Sequence, residues 1–352
     1  MGRWTRFALI LLVVGFAASE IGLRIFLGEN SHWNVLLGAH KVYDPVTMFR
    51  NKPHYELVPG LVTNELGYLA PDHLATAAPA DALRLIYLGD SNTATPFEGN
   101  YPSQVEGLLR QQGIAVQTVN AAVTGFTSDM ARALFETELS HFDGDYFFLY
   151  LGWNDLFHYS PESLPLPRKE RQGYPLNPVQ RFLTHIYTLR LVYAAQVVID
   201  KRRPAFDRPL DEHEHALYDG YRPEHFYTNL RAILELAKQR YPHVYMMTMM
   251  TMVNDHPTPE QLMRIHFPKG MDENIRKLAI LVAKYNEAIR TVAAEENVPL
   301  LDFFTLFDTP EHRALMVDSC HVNPAGAAVE AQMVADAVLA QEHAAPTRVV
   351  QR

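Results

Sequence analysis

Four short polar motifs in this sequence carry side chains suited to acyl transfer. They are Gly89-Asp90-Ser91-Asn92, Asn120-Ala121-Ala122-Val123-Thr124-Gly125, Gly152-Trp153-Asn154-Asp155, and Asp318-Ser319-Cys320-His321 with the following Val322-Asn323-Pro324. Together they supply a hydroxyl, a glycine backbone amide, a carboxamide, and an imidazole with a carboxylate shortly before it. Covalent catalysis at an ester carbonyl requires these groups.

A nucleophile, its base and the oxyanion donors can each be assigned from residue type. A serine hydroxyl is a weak nucleophile, so we predict that His321 takes the proton of Ser91 as it attacks. Asp318 lies close enough along the chain to hold the other ring nitrogen in one tautomer. The tetrahedral intermediate needs fixed donors, and the candidates are the Ser91 amide, the Gly125 amide and the Asn154 side chain.

The elements that must position these motifs are short buried strands. Apolar runs rich in β-branched and aromatic residues predict strands at 84–88, 116–119, 146–151, 244–252 and 298–301. Helical periodicity lies between the runs, most clearly at Ile275, Leu278, Val282, Tyr285, Ile289 and Val292. We therefore predict an α/β, flavodoxin-like doubly wound five-stranded parallel sheet, whose strand ends gather the motifs at one edge.

In order and spacing, the four motifs resemble the four blocks of the SGNH (GDSL) hydrolase superfamily over about 83–341. The resemblance implies that Ser91 is the nucleophile, His321 the base and Asp318 its partner. It also implies that Gly125 and Asn154 are oxyanion donors. Asn92 stands where common members have Leu, which changes no catalytic atom. The N-terminal helix and the stretch 62–68 are similar to those of membrane-anchored bacterial members.

The N-terminal residues 1–27 predict an export signal or a membrane anchor. Arg3 and Arg6 precede an uncharged, almost wholly apolar run at 7–18. A run of about 12 residues suits a signal peptide better than a span of roughly 20. The apolar pattern continues to Phe26, however, which favours an uncleaved single-pass anchor with the rest of the chain outside the cytoplasm. Secretion after cleavage and a buried helix of a soluble protein are the alternatives.

The remaining chain divides into one catalytic domain and accessory parts. Irregular residues 28–82 predict a stalk that packs onto the catalytic domain, which we place at 83–342, before a tail at 343–352. A proline-rich stretch at 156–224 predicts an insertion around one helical segment at 179–199. The basic end of that segment suits a membrane surface or a substrate cleft, but simple packing on the domain is the favoured interpretation.

Composition excludes several classes of partner. With 31 basic and 40 acidic residues the net charge is −9, so the chain repels nucleic-acid backbones. The single cysteine, Cys320, forms neither an internal disulfide nor a thiolate metal site. His213 and His215 suggest a metal site, but their acidic, proline-flanked surroundings argue against one. We predict no metal and no organic cofactor.

The function that these motifs predict is a serine esterase with an acyl-enzyme intermediate on Ser91. The expected substrate is an ester-bearing carbohydrate of the cell envelope or an exported polysaccharide, from which O-acyl groups, expected to be acetyl, are removed. The same site can run as an O-acyltransferase, since the outcome depends on water exclusion. A lipid esterase and a non-catalytic carbohydrate-binding protein are the further alternatives.

Overall fold

The computed structural model describes most of the chain outside the predicted insertion. The described residues are 2–27, 40–58, 60–94, 100–166, 205–254 and 256–344, with isolated positions between 179 and 192. Most of the predicted helical segment 179–199, and the tail after residue 344, lie outside the described residues.

The N-terminal residues form one long apolar helix, α1 (Arg3–Leu27). Its stretch Arg3–Ile25 is long and apolar enough to cross a membrane, and none of that stretch is buried. Glu20 accepts hydrogen bonds from the backbone N–H groups of Tyr187 and Thr188, both at 3.0 Å. By length and composition the helix therefore fits a signal anchor or a signal peptide.

The accessory segment contains four short strands in two antiparallel hairpins. They are β1 (Lys41–Asp44), β2 (Met48–Asn51), β3 (Glu56–Val58) and β4 (Leu61–Val62). Asn51 Nδ2 donates a hydrogen bond of 3.1 Å to the carbonyl of Ala122, and Leu69 forms an isolated β-bridge with Asn120. The segment is thus joined directly to one of the polar motifs.

A five-stranded parallel sheet forms the centre of the protein. Its strands are β5 (Leu83–Gly89), β6 (Val116–Asn120), β7 (Tyr146–Tyr150), β8 (His243–Met247) and β9 (Leu300–Leu301). They lie in the order β6-β5-β7-β8-β9, and every pair is parallel. The reversal of strand order beside β5 is that of a flavodoxin-like sheet. The predicted α/β fold class is therefore confirmed.

Helices cover both faces of this sheet. They are α2 (Ser91–Ala94), α3 (Tyr101–Gln111), α4 (Ser128–Thr137), α5 (Trp153–His158), α6 (Glu212–Gly220), α7 (Glu224–Arg240), α8 (Pro259–Leu262), α9 (Ile275–Glu295), α10 (Phe303–Leu306), α11 (Pro310–Arg313) and α12 (Pro324–Ala344), with a 3-10 turn at Leu139–His141. All six apolar positions that predicted α9 are buried.

The two cores follow from the alternation of side chains along each strand. Ile86 and Leu88 of β5 pack with α4, α7 and α9 on one face. Leu85 and Tyr87 pack with α3 and α12 on the other face. Because both faces are apolar, residues 85–88 of β5 form a continuous hydrophobic run, as expected for a central parallel strand.

Two predicted strands are shorter than expected. The strand predicted at 244–252 ends at Met247, because the Asn286 side chain takes over the pairing of Met249. Asn286 Oδ1 accepts from the Met249 N–H at 2.7 Å and Asn286 Nδ2 donates to the Met249 carbonyl at 3.0 Å. The strand predicted at 298–301 begins at Leu300, since Val298 N–H bonds to the Ala293 carbonyl and closes α9 instead.

Candidate active site

Ser91 follows the carboxyl end of β5 and begins α2, where its side chain is only 6% exposed. The approach to it requires Gly89, because a Cβ there would stand 2.8 Å from the carbonyl oxygen of Tyr150 on the neighbouring strand. The chain then turns through Asp90, whose carbonyl accepts from the N–H groups of Thr93 and Ala94. This turn presents the Ser91 hydroxyl at the edge of the sheet.

The loop that carries His321 is closed by backbone pairing. Val317 N–H donates to the His321 carbonyl at 2.8 Å, and Met316 bridges to Val322. Three residues after His321, Pro324 begins α12, where the fixed proline φ suits the first helical turn. The imidazole is therefore held between a tight loop and a long helix.

Ser91, His321 and Asp318 form a hydrogen-bonded chain. His321 Nε2 lies 2.8 Å from Ser91 Oγ, and His321 Nδ1 lies 2.9 Å from Asp318 Oδ2. Asp318 Oδ1 also accepts from the N–H groups of Cys320 at 3.0 Å and His321 at 2.9 Å. Burial raises the pKa of Asp318, but attraction to His321 and these hydrogen bonds outweigh burial and hold that pKa well below its ordinary value.

Gly125 lies in the loop after β6 with φ 88°, a left-handed conformation that favours glycine. In the described part of the chain, no residue accepts a hydrogen bond from the Gly125 N–H. The residue is partly exposed, and the next residue, Phe126, is buried in the core. The Gly125 amide is thus open to an incoming acceptor.

Asn154 stands in the first turn of α5 and is oriented by Asp90. Asn154 Nδ2 donates to Asp90 Oδ2 at 3.3 Å, while Asp90 Oδ1 accepts from the Asn92 N–H at 2.9 Å. Burial raises the pKa of Asp90 to about 6, against its hydrogen bonds to Asn92. Since an amide nitrogen has two protons, Asn154 keeps one for another acceptor.

Asp155 ties two of the motif loops together. It accepts from the Ser128 N–H at 2.8 Å and from Ser128 Oγ at 2.6 Å. His225 Nε2 lies 3.2 Å from the same carboxylate. Because Asp155 is fully buried, these bonds fix the start of α4 against α5. Helix α4 follows the loop that contains Gly125, and α5 contains Asn154.

Two groups near the site were not predicted from the sequence. His266 Nε2 lies 3.8 Å from Asp318 Oδ2, and the His266 N–H donates to Ser319 Oγ at 2.6 Å. Lys41 of β1 brings its Nζ to 3.1 Å from the position that a Cβ on Gly125 would occupy. Neither residue has a local sequence signal, because each reaches the site only through the packing of distant segments.

One cluster with metal-ligand chemistry occurs within the described ranges, and it coincides with the site. Ligand atoms of Asp318, Cys320 and His321 all lie within 4.8 Å of one another. His321 Nδ1 already bonds Asp318, so an ion there would displace that bond. His213 and His215 are exposed on α6 and belong to no such cluster among the residues searched.

Comparison with curated proteins gives no match. Among solved structures, Axe2, an acetylxylan esterase from Geobacillus stearothermophilus, is 17% identical with a TM-score of 0.44, covering 72% of this chain and 92% of its own. The acetyl xylan esterase AlAXEase is 18% identical with a TM-score of 0.43, covering 73% of this chain and 100% of its own. Similarity at this level carries no conclusion about substrate.

The sequence also matches a family model over residues 87–329, a range that begins in β5 and ends in α12. This range contains all four polar motifs and therefore Ser91, Gly125, Asn154, Asp318 and His321. The chain thus belongs to the GDSL-like lipase/acylhydrolase family and is a hydrolase of ester bonds.

Proposed function

We propose that this chain is a serine esterase that forms an acyl-enzyme on Ser91 and removes O-acyl groups, chiefly acetyl, from a carbohydrate. The observation that carries the proposal is the chain of hydrogen bonds from Ser91 through His321 to Asp318, at 2.8 Å and 2.9 Å. Such a chain joins a nucleophile to a base and the base to an anion that holds its tautomer.

In the proposed reaction, Ser91 Oγ attacks the ester carbonyl as His321 Nε2 takes its proton. The negative charge that develops on the carbonyl oxygen is met by the Ser91 and Gly125 amides and the free Asn154 Nδ2 proton. His321 returns its proton to the departing alcohol, which leaves Ser91 acylated. A water molecule, deprotonated by His321, then releases the acid and restores Ser91.

Two features favour a carbohydrate ester as the substrate. The residues that follow Ser91 in α2 are Asn92, Thr93 and Ala94, all small or polar, which suits a short acyl group and a hydroxylated alcohol. The apolar helix α1 is consistent with placement at or beyond a membrane, where envelope and exported polysaccharides occur. We propose the single-pass, extracytoplasmic orientation on the same ground.

Replacing Ser91 with Ala tests the chemistry. We expect ester hydrolysis and labelling by a fluorophosphonate to disappear, because the variant lacks the attacking oxygen while keeping His321 and Asp318. Ser103→Ala, at an exposed serine in the first turn of α3, is the matched control and should keep wild-type turnover. Undiminished hydrolysis by the Ser91 variant would refute the proposal.

The substrate class is tested separately with esters of increasing acyl length. We expect kcat/KM to be greatest for acetyl esters and to fall for longer chains. A preference for long chains, or a dependence on lipid vesicles, would identify a lipid esterase instead. Product analysis with a polysaccharide acceptor distinguishes release of free acid from transfer of the acyl group to a sugar hydroxyl.

A further inference from the structure

Lys41 of β1 lies beside the motif loop that contains Gly125, although it belongs to the accessory segment. Its Nζ is 3.1 Å from the position of a Cβ on Gly125, so the ammonium stands directly against a backbone that carries no side chain. The same Nζ lies 4.4 Å from the centroid of the Phe49 ring. Phe49 in turn packs on Phe126, with 5.6 Å between the ring centroids.

The charge of Lys41 has no counter-ion among the residues that the structure describes. Within the described ranges, no residue forms an ion pair or a side-chain hydrogen bond with its ammonium. Burial lowers the pKa of Lys41 to about 8, and in the described part of the chain no carboxylate offsets that cost. The cation–π contact with Phe49 offsets only part of the cost of burying the charge.

The hairpin that carries Lys41 is firmly attached to the domain. Asp44 Oδ1 closes its turn by accepting from the N–H groups of Val46 at 2.8 Å and Thr47 at 2.7 Å. Arg50 on β2 bonds to Glu138 Oε2 at 2.8 Å, beyond the end of α4. The only acidic side chain of the hairpin, Asp44, is therefore engaged with its own turn and not with Lys41.

We infer that Lys41 is a substrate-binding residue that recognises a negatively charged group, a carboxylate or a phosphate, next to the ester on the carbohydrate. This inference rests on the proposed function, since it assumes that the ester binds at Ser91 and Gly125. An anion would supply the counter-charge that the described residues do not provide at this position. The substrate class is then an acylated acidic sugar, which a chain of net charge −9 would otherwise repel.

The geometry assigns Lys41 a partner other than the acyl oxygen. The ammonium lies on the Cβ side of Gly125. At the φ of this residue, 88°, the backbone N–H points to the opposite side of the N–Cα bond. The N–H and the ammonium therefore address different atoms of one bound molecule. A group on the sugar ring beside the acylated hydroxyl is the nearest candidate for the ammonium.

The test compares matched neutral and anionic substrates. The neutral probe is an acetylated methyl glucoside, and the anionic probes are the methyl glucuronoside acetylated at the same hydroxyl and an acetylated glucose phosphate. We expect the wild type to prefer at least one anionic probe by about 10-fold in kcat/KM. Lys41→Met should remove this preference mainly by raising KM for the anionic probe, and should leave kcat/KM for the neutral probe within about twofold of the wild-type value. Lys41→Arg should retain part of the preference. The glucuronoside and the phosphate probes show which anion is recognised.

Lys52→Met is the matched control, because Lys52 lies on the same segment with its Nζ 5.3 Å from the Tyr55 ring. It should leave all probes unchanged. Equal loss on neutral and anionic probes in Lys41→Met, or no wild-type preference, would overturn the inference while leaving the esterase intact. Thermal melting of each variant excludes a folding defect, and Lys41→Gln replaces Lys41→Met if the latter fails to fold. Persistent hydrolysis by Ser91→Ala would instead overturn the proposed function.

Discussion

Asp90 shows how a residue behind the nucleophile can control the oxyanion site. Its two carboxylate oxygens accept from Asn92 on one side and from Asn154 Nδ2 on the other. Because both neighbours are donors, only a group with two acceptors satisfies both. Asp90 is therefore a positioning residue in the proposed mechanism, and it acts through Asn154.

Asp90→Asn tests this relationship. An amide has one acceptor, so in either orientation its own NH2 group faces a donor, and Asn154 loses its direction. We expect kcat to fall about 10-fold with little change in KM, while Asn154→Ala costs about 100-fold or more. In the double variant the Asp90 change should add little, because its effect passes through the missing side chain. Losses that multiply fully would contradict the positioning role.

The residues that the sequence predicted for the site and those that it did not predict are brought there by different parts of the fold. Ser91, Gly125 and Asn154 each lie within a few residues of the carboxyl end of a parallel strand, and His321 lies in the loop before α12. Local motifs were therefore enough to predict them as site residues. Lys41 reaches the loop through a hairpin docked far along the chain. Local sequence periodicity carries no information about such a contact between distant segments, so Lys41 could not be predicted.

At the scale of elements, strand starts were predicted better than strand ends. Strands β5, β6 and β7 agree with the prediction within a residue or two at each end. Strand β8 ends earlier than predicted because Asn286, on α9, replaces the sheet partner of Met249. After this turn, Met252 N–H bonds to the Ser319 carbonyl in the loop of His321. The side chain of Asn286, far along the chain, therefore fixes where β8 ends and where the segment that contacts the His321 loop begins.

Helix α12 carries a buried carboxyl, Glu330, that the proposed mechanism does not use. It is 1% exposed, and its Oε1 has no hydrogen-bond partner in the described structure. Burial raises the pKa of Glu330 well above its ordinary value, so the folded state holds a proton that the unfolded state releases. The contribution of Glu330 to stability therefore falls as pH rises above its unfolded pKa near 4.5.

Glu330→Leu should remove this dependence. We expect the variant to gain about 1 to 3 kcal/mol in free energy of unfolding at pH 8 relative to wild type, and less at pH 5. Urea denaturation at both pH values measures the difference. Asp336→Asn, at an exposed carboxylate of the same helix, should show no comparable pH dependence. A gain that is equal at both pH values would show that packing, not ionisation, is responsible.

Taken as a whole molecule, the folded body is larger than the range that the family model matches. That range begins at residue 87, yet Phe49 and Tyr68 of the accessory segment are buried in the same core as β5 and β7. Sequence predicted the segment as a stalk packing on the domain, from its turns alone. Its pairing with the motif loop could not be predicted, because it depends on tertiary bonds such as Asn51 to Ala122.

Two truncations distinguish an appended stalk from an integral part of the domain. Deleting residues 2–27 removes only α1, none of whose apolar stretch is buried, so we expect a soluble esterase with wild-type melting temperature and kcat. Deleting 2–72 also removes Phe49 and Tyr68, both nearly fully buried, and uncovers the core beside Phe126. Losing two large aromatic side chains costs several kcal/mol, so we expect melting at least about 10 °C lower, or insoluble protein. If the shorter chain melts with the wild type, the accessory segment contributes nothing to stability, and the docked hairpin cannot be the rigid support on which the position of Lys41 depends.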